Sequence, residues 1–454
     1  MPAVTEQWVR RALGLTGGGS EQARYSGVAT DTRTLEPGAL FVALAGQRFD
    51  AHAFLEAARA AGAAAAVVRE GTPAVSGLPL FQVPDTLRAY GALARARRRE
   101  IAGPVVAVTG TNGKTSTKEM IAAVLRTRFR THATRLNLNN LVGVPQTILE
   151  APMDTEALVI EAGASLPGEI ARQREIVEPT VVVVTNVAEG HLEGFGSLDA
   201  VLAEKVELVR DVPLAVVGLE PVRLTEEVRA RGARRVVSAG LEGADVTPDR
   251  VRLDEAGRPE IVVGDLEWTL PLLGRHQAAN AMLAWAVGRE LGVEPVLMAR
   301  ALAEVRVPGG RGEVQRVGEF LVINDCYNAN PASFEAAIET AESLRGRRRL
   351  VVVAGTMREL GPDAEALHQR VAERLVRLDP DLLAAVGEFV PALRPWAARL
   401  GDRLLTADDP PALAPLLAER LRGDELIMLK ASRGVALERV LPAIAARAAT
   451  VPEA

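Results

Sequence analysis

The run VVAVTGTNGKTSTKEMIAAVL, residues 105–125, constrains the fold more than any other stretch of the chain. An almost uninterrupted β-branched segment enters a loop with two glycines and leaves as a helix with Met120, Ile121, Val124 and Leu125 as its apolar positions. Strand, glycine loop and helix in this order are what a phosphate-binding loop requires. Gly110 and Gly113 let backbone N–H groups turn toward phosphate oxygens, and the helix N-terminus adds partial positive charge. Lys114 supplies a point charge for the β and γ phosphates, and Thr115 offers a hydroxyl to Mg²⁺. Val108 stands where the longer GxxxxGK[ST] pattern places its first glycine, so the loop is a shorter GxNGKT form. The predicted nucleotide contacts are Gly110, Thr111, Asn112, Gly113, Lys114, Thr115 and Ser116.

Two further buried runs, ALVIEAG and VVVVTNV, read as strands covered on both faces of a parallel sheet. Ligands in such sheets bind beyond the carboxyl ends of the strands, where these runs deliver Glu161, Asn186, Glu189, His191 and Glu193. Hard oxygen donors suit Mg²⁺, which needs only one or two protein groups beside phosphate. Lys205 follows on a helix, SLDAVLAEKVELV, with its lysine face toward the protein.

With 454 residues the chain exceeds one hydrophobic core, and three domains are expected. The first, residues 1–102, alternates short strands with Ala-rich helices and ends in the basic stretch RAYGALARARRRE before Gly103-Pro104. The second, 103–308, carries the phosphate loop in a parallel α/β sheet. After the glycine-rich loop VPGGRGE, a third unit at 309–454 alternates strands FLVIND, RLVVVAG and ELIMLKAS with helices, a Rossmann-like pattern. The expected fold class is therefore α/β throughout.

A net charge of −5 without a basic block excludes the footprint of a long nucleic acid. One cysteine, Cys326, excludes an intramolecular disulfide and a cysteine zinc cluster, and fits a reducing compartment. The N-terminus lacks the apolar core of a signal peptide, and no run approaches the roughly 20 residues of a membrane span, so a cytoplasmic protein is expected.

A series of segments in fixed order then resembles the Mur ligases: TGTNGKTSTKEM, NLNNLVGVPQTIL, EAGASLPGEI, HLEGFGSLDAVLAEK, GRHQAANAMLAWA, NDCYNANPASFEAAI, GTMRELG and KASRG. Within that family the pattern is nearest the member that adds D-alanyl-D-alanine to UDP-N-acetylmuramoyl-tripeptide. The resemblance implies an ATP-dependent ligase that forms a peptide bond in cell-wall precursor synthesis, with those two molecules as substrates. It implies a catalytic set of Lys114, His191, Lys205 and Arg311, and Mg²⁺ held by Thr115, Glu161, His191 and Lys205, the lysine carbamylated. Carbamylation requires a neutral amine, which burial favours. Asn280 would meet adenine, Arg311 the γ-phosphate and Asp325 the ribose. Thr30, Asp31, Thr32, Arg33, Asp50 and His52 resemble the UDP-binding segments, and Asn139 and Asn140 would face the sugar nucleotide. Tyr327, Asn328 and Asn330 are assigned to the substrate side of the third domain, which would take the incoming amine. The enzyme is expected to be a monomer. A sibling that adds a diamino acid to the dipeptide precursor carries a DNPR motif not found here, where DCYNANP stands instead. A P-loop switch or motor ATPase is the rival from another class, and it leaves the first domain and the Lys205 region unexplained.

Overall fold

The computed structural model describes residues 3–46, 49–309 and 313–450. Strands β1 (Val28–Ala29), β2 (Leu40–Val42), β3 (Ala65–Arg69) and β4 (Leu80–Val83) pair in that order as a parallel sheet. Alternation along β2 and β3 sends Leu40, Val42, Ala65 and Val67 into one core and Phe41, Ala66 and Val68 into another, so this small sheet is covered on both faces. Helix α1 (Thr86–Arg98) follows, its first turn capped by the Asp85 carboxylate, which accepts from the Leu87 and Arg88 amides.

The central sheet holds β5 (Val105–Thr109), β6 (Thr131–Ala133), β7 (Ala157–Glu161), β8 (Val181–Val184), β9 (Leu214–Val217) and β10 (Arg235–Ser238). All pairings are parallel, in the order β10-β9-β8-β5-β7-β6. Its helices include α2 (Lys114–Arg126), α3 (Gly143–Leu149), α4 (Glu169–Val177), α5 (Leu198–Val206) and α6 (Arg275–Glu290). Connections from β5 run first to one side of the sheet and then, before β8, to the other. The crevice where the strand order reverses thus opens above β5 and β8.

A third sheet contains β11 (Glu313–Val317), β12 (Phe320–Asp325), β13 (Arg349–Ala354), β14 (Leu382–Val386), β15 (Leu404–Ala407) and β16 (Glu425–Lys430). Its order is β11-β12-β16-β13-β14-β15, parallel except for the β11–β12 hairpin. Helices α7 (Pro331–Arg345) and α8 (Ala364–Arg377) follow β12 and β13. The α/β architecture with a second Rossmann-like sheet, expected from the strand and helix patterns, is what the chain forms. No helix among the described residues is long and apolar enough to cross a membrane.

The basic stretch before Gly103 does more than separate two units. Arg97 and Arg98 are buried, and their guanidinium groups end helices of the central unit. Arg97 donates to the carbonyls of Ala151 (3.1 Å) and Pro152 (2.8 Å), just beyond α3. Arg98 donates to the carbonyls of Val177 and Glu178, both at 2.7 Å, at the end of α4. Terminal carbonyls that α4 cannot satisfy internally thereby find a charged donor, the segment just past α3 is held in the same way, and the helix dipoles favour the cations. Around them Arg95 and Arg99 both pair with Glu178. Arg98→Ala should lower stability by about 2–3 kcal/mol, because it strands buried acceptors at a helix end. Urea unfolding checks this, and a loss under 0.5 kcal/mol would mean that water replaces the guanidinium.

Candidate active site

The loop between β5 and α2 is shaped by two positions that only glycine fits. Gly110 has φ 141°, and a Cβ there would lie 2.0 Å from Thr185 Oγ1 at the end of β8. Gly113 has φ 76°, and a Cβ there would lie 2.6 Å from Asn280 Oδ1 on α6. The loop is then tied to the segment after β8: the Thr111 amide donates to the Asn186 carbonyl (2.8 Å) and the Asn112 amide to Asn186 Oδ1 (3.0 Å). Thr185 Oγ1 donates to the Asn112 carbonyl at 2.6 Å. Lys114 folds over the loop, its ammonium donating to the carbonyls of Gly110 (3.0 Å) and Thr111 (2.9 Å).

Glu161 ends β7 nearly sealed from solvent, with its carboxylate bound from two sides. Thr115 Oγ1 donates to one oxygen and Asn139 Nδ2 to the other, each at 2.8 Å. Strand pairing and loop geometry thus set a hydroxyl and a carboxylate side by side at the start of α2. His191 sits at φ 57° after β8, and its Nδ1 faces Glu359 Oε2 of the third sheet's loops at 2.5 Å. That contact holds the Glu359 carboxyl below the usual carboxylate range. A neutral imidazole that donates from Nδ1 to Glu359 leaves Nε2 as an acceptor.

Lys205 on α5 is fully buried, and its Nζ has no hydrogen-bond partner among the described residues. Desolvation, helped by the nearby Lys114 charge, pulls its pKa down to about 7, against the opposing pull of Glu204 and Glu169. Glu204 is already committed: it accepts from the Gly168 (2.9 Å) and Ile170 (2.8 Å) amides at the start of α4. The ring centroid of Phe195 lies 6.0 Å from the ammonium.

From the third sheet come Asp325 and Lys430, at the ends of adjacent strands β12 and β16 and 2.5 Å apart. Lys430 also donates to the Asn328 carbonyl at 2.8 Å. The guanidinium of Arg433 lies 5.2 Å over the Tyr327 ring. Asn280 is buried, its amide donating to Gln277 Oε1.

Residues of both units line one cavity of about 1240 Å³ between the central and third sheets. Of the residues singled out in the sequence, Thr111, Asn112, Gly113, Lys114, Ser116, Asn139, Asn140, Glu161, Asn186, His191, Asn280, Asp325, Tyr327 and Asn328 line it. Gly110, Thr115, Lys205 and Asn330 stand outside its lining. Arg311 lies outside the described residues. Thr30, Asp31, Thr32, Arg33, Asp50 and His52 belong to the first unit and do not line the cavity. There Arg33 binds Asp31, holding that carboxyl at about 2. His52 Nε2 accepts from the Arg69 amide, which turns its Nδ1–H to Asp50.

Arg358, Glu359, Lys430, Ser432 and Arg433 also line the cavity and were not singled out in the sequence, though GTMRELG and KASRG contain them. The rule that located Glu161 would have found them, since β13 and β16 end just before. Among the described residues, no three His, Cys, Asp or Glu side chains cluster as metal ligands. Any cation here would rest on few protein donors and on phosphate oxygens.

Family models match the chain in three places: the Mur ligase family, catalytic domain at 24–98, the Mur ligase middle domain at 108–288, and the Mur ligase, glutamate ligase domain at 310–433. The chain is 36% identical to the UDP-N-acetylmuramoyl-tripeptide--D-alanyl-D-alanine ligase of Bacillus subtilis (strain 168), over 93% of each chain. It is 37% identical to the ligase of that name from Escherichia coli (strain K12), over 92% of this chain and 93% of the other. A crystal structure of MurF from Acinetobacter baumannii superposes with a TM-score of 0.88 at 29% identity, covering 98% of this chain and 99% of that one. A MurF ligase from Thermotoga maritima in complex with ADP gives 0.82 at 30% identity, over 93% and 97%. A UDP-N-acetylmuramoyl-L-alanyl-D-glutamate--2,6-diaminopimelate ligase, at 17% identity and a TM-score of 0.56, shares the fold alone.

Lys205 predicts a pH signature. Its folded pKa lies below the unfolded value, so between about 7 and the ordinary lysine range the unfolded chain binds the extra proton and native stability rises with pH. In CO₂-free buffer, Lys205→Met should therefore be more stable than the native protein near neutrality. The gap should close toward alkaline pH with a slope approaching about 1.4 kcal/mol per unit. Parallel curves for the two proteins in urea titrations would show that the amine is charged in the fold.

Proposed function

The chain belongs to the Mur ligase family, and we propose that it joins D-alanyl-D-alanine to UDP-N-acetylmuramoyl-tripeptide at the cost of ATP, forming the pentapeptide precursor. The observation that carries this reading is the cavity itself, where a phosphate loop, a buried strand-end carboxylate and the loops of a second Rossmann-like sheet face one another. A switch or motor ATPase has no need of the last of these.

In this reading residues 1–102 hold the UDP end of one substrate, 103–308 hold ATP, and 309–454 hold the incoming amine. The terminal carboxylate of the tripeptide attacks the γ-phosphorus and the bond to ADP breaks, leaving an acyl phosphate. The amine of D-alanyl-D-alanine then attacks the acyl carbon through a tetrahedral intermediate. Inorganic phosphate leaves with the electrons of the C–O bond, and the amine gives up a proton. Lys114, released from its loop carbonyls by the incoming phosphates, and Arg311 balance the charge of the transferring group. Asn280 is assigned to adenine and Asp325 to ribose. The domains exclude water that would hydrolyse the acyl phosphate. The proposed enzyme is a cytoplasmic monomer.

The paired Thr115 hydroxyl and Glu161 carboxylate are oxygen donors that suit Mg²⁺, with His191 offering Nε2. When bound, Mg²⁺ supplies charge neutralisation to the phosphates. Lys205 suits carbamylation because its amine is buried, has no hydrogen-bond partner among the described residues, and has a pKa lowered by desolvation to about 7. Attack of the neutral nitrogen on CO₂ with loss of one proton would replace a buried neutral amine by an anion able to face a metal.

Phosphate release should require ATP, the tripeptide nucleotide and D-alanyl-D-alanine together, with a pentapeptide mass in the product. Release with a diamino acid and the dipeptide precursor would point to the sibling reaction, and release without acceptors to an ATPase. Lys114→Ala should cut ligation by roughly 10³-fold, and unchanged turnover would remove the loop from the mechanism. With ¹³C-bicarbonate, the native protein should show a carbamate carbon resonance that Lys205→Arg lacks; a signal that persists in the variant places the modification elsewhere.

A further inference from the structure

The resemblance assigns Asn330 to substrate, yet its side chain is buried and almost fully engaged within the protein. Oδ1 accepts from the Ser333 amide at 2.9 Å, capping α7, and from Asn112 Nδ2 at 3.3 Å. Nδ2 donates to Asn112 Oδ1 at 2.8 Å. An asparagine amide offers two acceptor sites and two N–H groups, so both acceptor sites and one N–H are in use. The partner, 218 residues away in sequence, is the phosphate loop itself. Asn112 is fixed in turn through its amide to Asn186 Oδ1 and its carbonyl from Thr185 Oγ1. Gly190 permits the approach: a Cβ there would lie 2.9 Å from Thr111 Cγ2 and 3.5 Å from Asn330 Nδ2.

We propose that the reciprocal Asn112–Asn330 amide pair is a latch by which the phosphate loop positions the wall of the cavity that receives the amine, and that Asn330 is a positioning residue. Helix α7 begins at this pair, and its Ala332, Ser333, Glu335, Ala336 and Thr340 line the cavity. Nearby, His191 meets Glu359 and Arg370 meets Glu189 across the central and third units, each pair involving an exposed charged group that salt weakens, and the Glu193 amide donates to the Glu359 carbonyl at 3.1 Å. The asparagine pair is neutral and mostly shielded, and its Asn112 half belongs to the loop that holds phosphate. The pair thus ties the start of α7 to the phosphate loop, so a displaced loop displaces this wall of the cavity.

Two variants separate the latch from a direct substrate contact. Asn330→Ser keeps a good helix cap but is too short to reach Asn112, whereas Asn112→Ala removes the other half. The kinetic arm rests on the ligase reading. Each variant should raise the KM for D-alanyl-D-alanine about tenfold, as expected for losing two neutral hydrogen bonds, and the double variant should lose no more than the worse single. Asn330→Ser should bind ADP as the native protein does in calorimetry and keep its melting temperature. The second arm needs no turnover: Asn112→Ala should speed amide hydrogen exchange across 330–336. Additive kinetic losses, or a dipeptide KM untouched by Asn112→Ala, overturn the latch in favour of direct contact by Asn330. Unchanged exchange at 330–336 overturns it whatever the substrate proves to be. Absence of dipeptide-dependent phosphate release by the native protein sinks the ligase reading instead, and the exchange arm still decides the latch.

Discussion

The site depends on one close approach. Gly110 brings the backbone of the phosphate loop against Thr185, so closely that a single methyl group would overlap the threonine hydroxyl. That contact exists because β5 and β8 are direct neighbours in the sheet, paired from Val106 to Thr109. With the loop pressed there, Thr115 falls beside Glu161, Asn112 is turned outward toward the third unit, and Gly113 meets Asn280. Three different strand ends and two domains are thereby referred to one turn of backbone. Displacing that turn by the width of a methyl group would misalign them all together.

Electrostatics around this turn have an uncommon feature. Lys114 and Lys205 influence one another, and only Lys114 has carbonyl oxygens to soften its charge. Burial resolves the conflict by favouring neutrality at Lys205, which preserves the amine as a nucleophile rather than as a cation. The nearby Glu204 pulls the other way without pairing with the amine, its carboxylate oxygens accepting backbone amides at the start of α4.

The parts of this architecture written in local pattern were legible in the sequence. The strand, loop and helix around Gly110–Lys114 need residues within a few positions of one another, and a buried strand announces Glu161 by its own apolar run. Contacts made across long separations left no such trace. The strand-end rule reaches Glu359 but not its pairing with His191, and nothing local to Asn330, assigned to substrate by resemblance, foretells its pairing with Asn112. Arg97 and Arg98 belong to a basic run that resembles a solvated helix end; their burial follows from the carbonyls of α3 and α4, more than 50 residues downstream. Lys205 lies between these cases, since helical periodicity turns it inward but says nothing of what awaits it.

The arginine anchors at the end of α1 fix the small first unit to the central sheet through carbonyls of two helices. A joint so clamped works as a ruler. If the nucleotide end of the proposed substrate is gripped on one side of it and the phosphate loop stands on the other, only a peptide of one length can present its terminal carboxylate to the loop. Each extra or missing residue shifts that carboxylate by about 3.5 Å, more than hydrogen-bond geometry tolerates. Selection among precursors of different lengths would then come from the stiffness of α1 rather than from any pocket that reads their side chains.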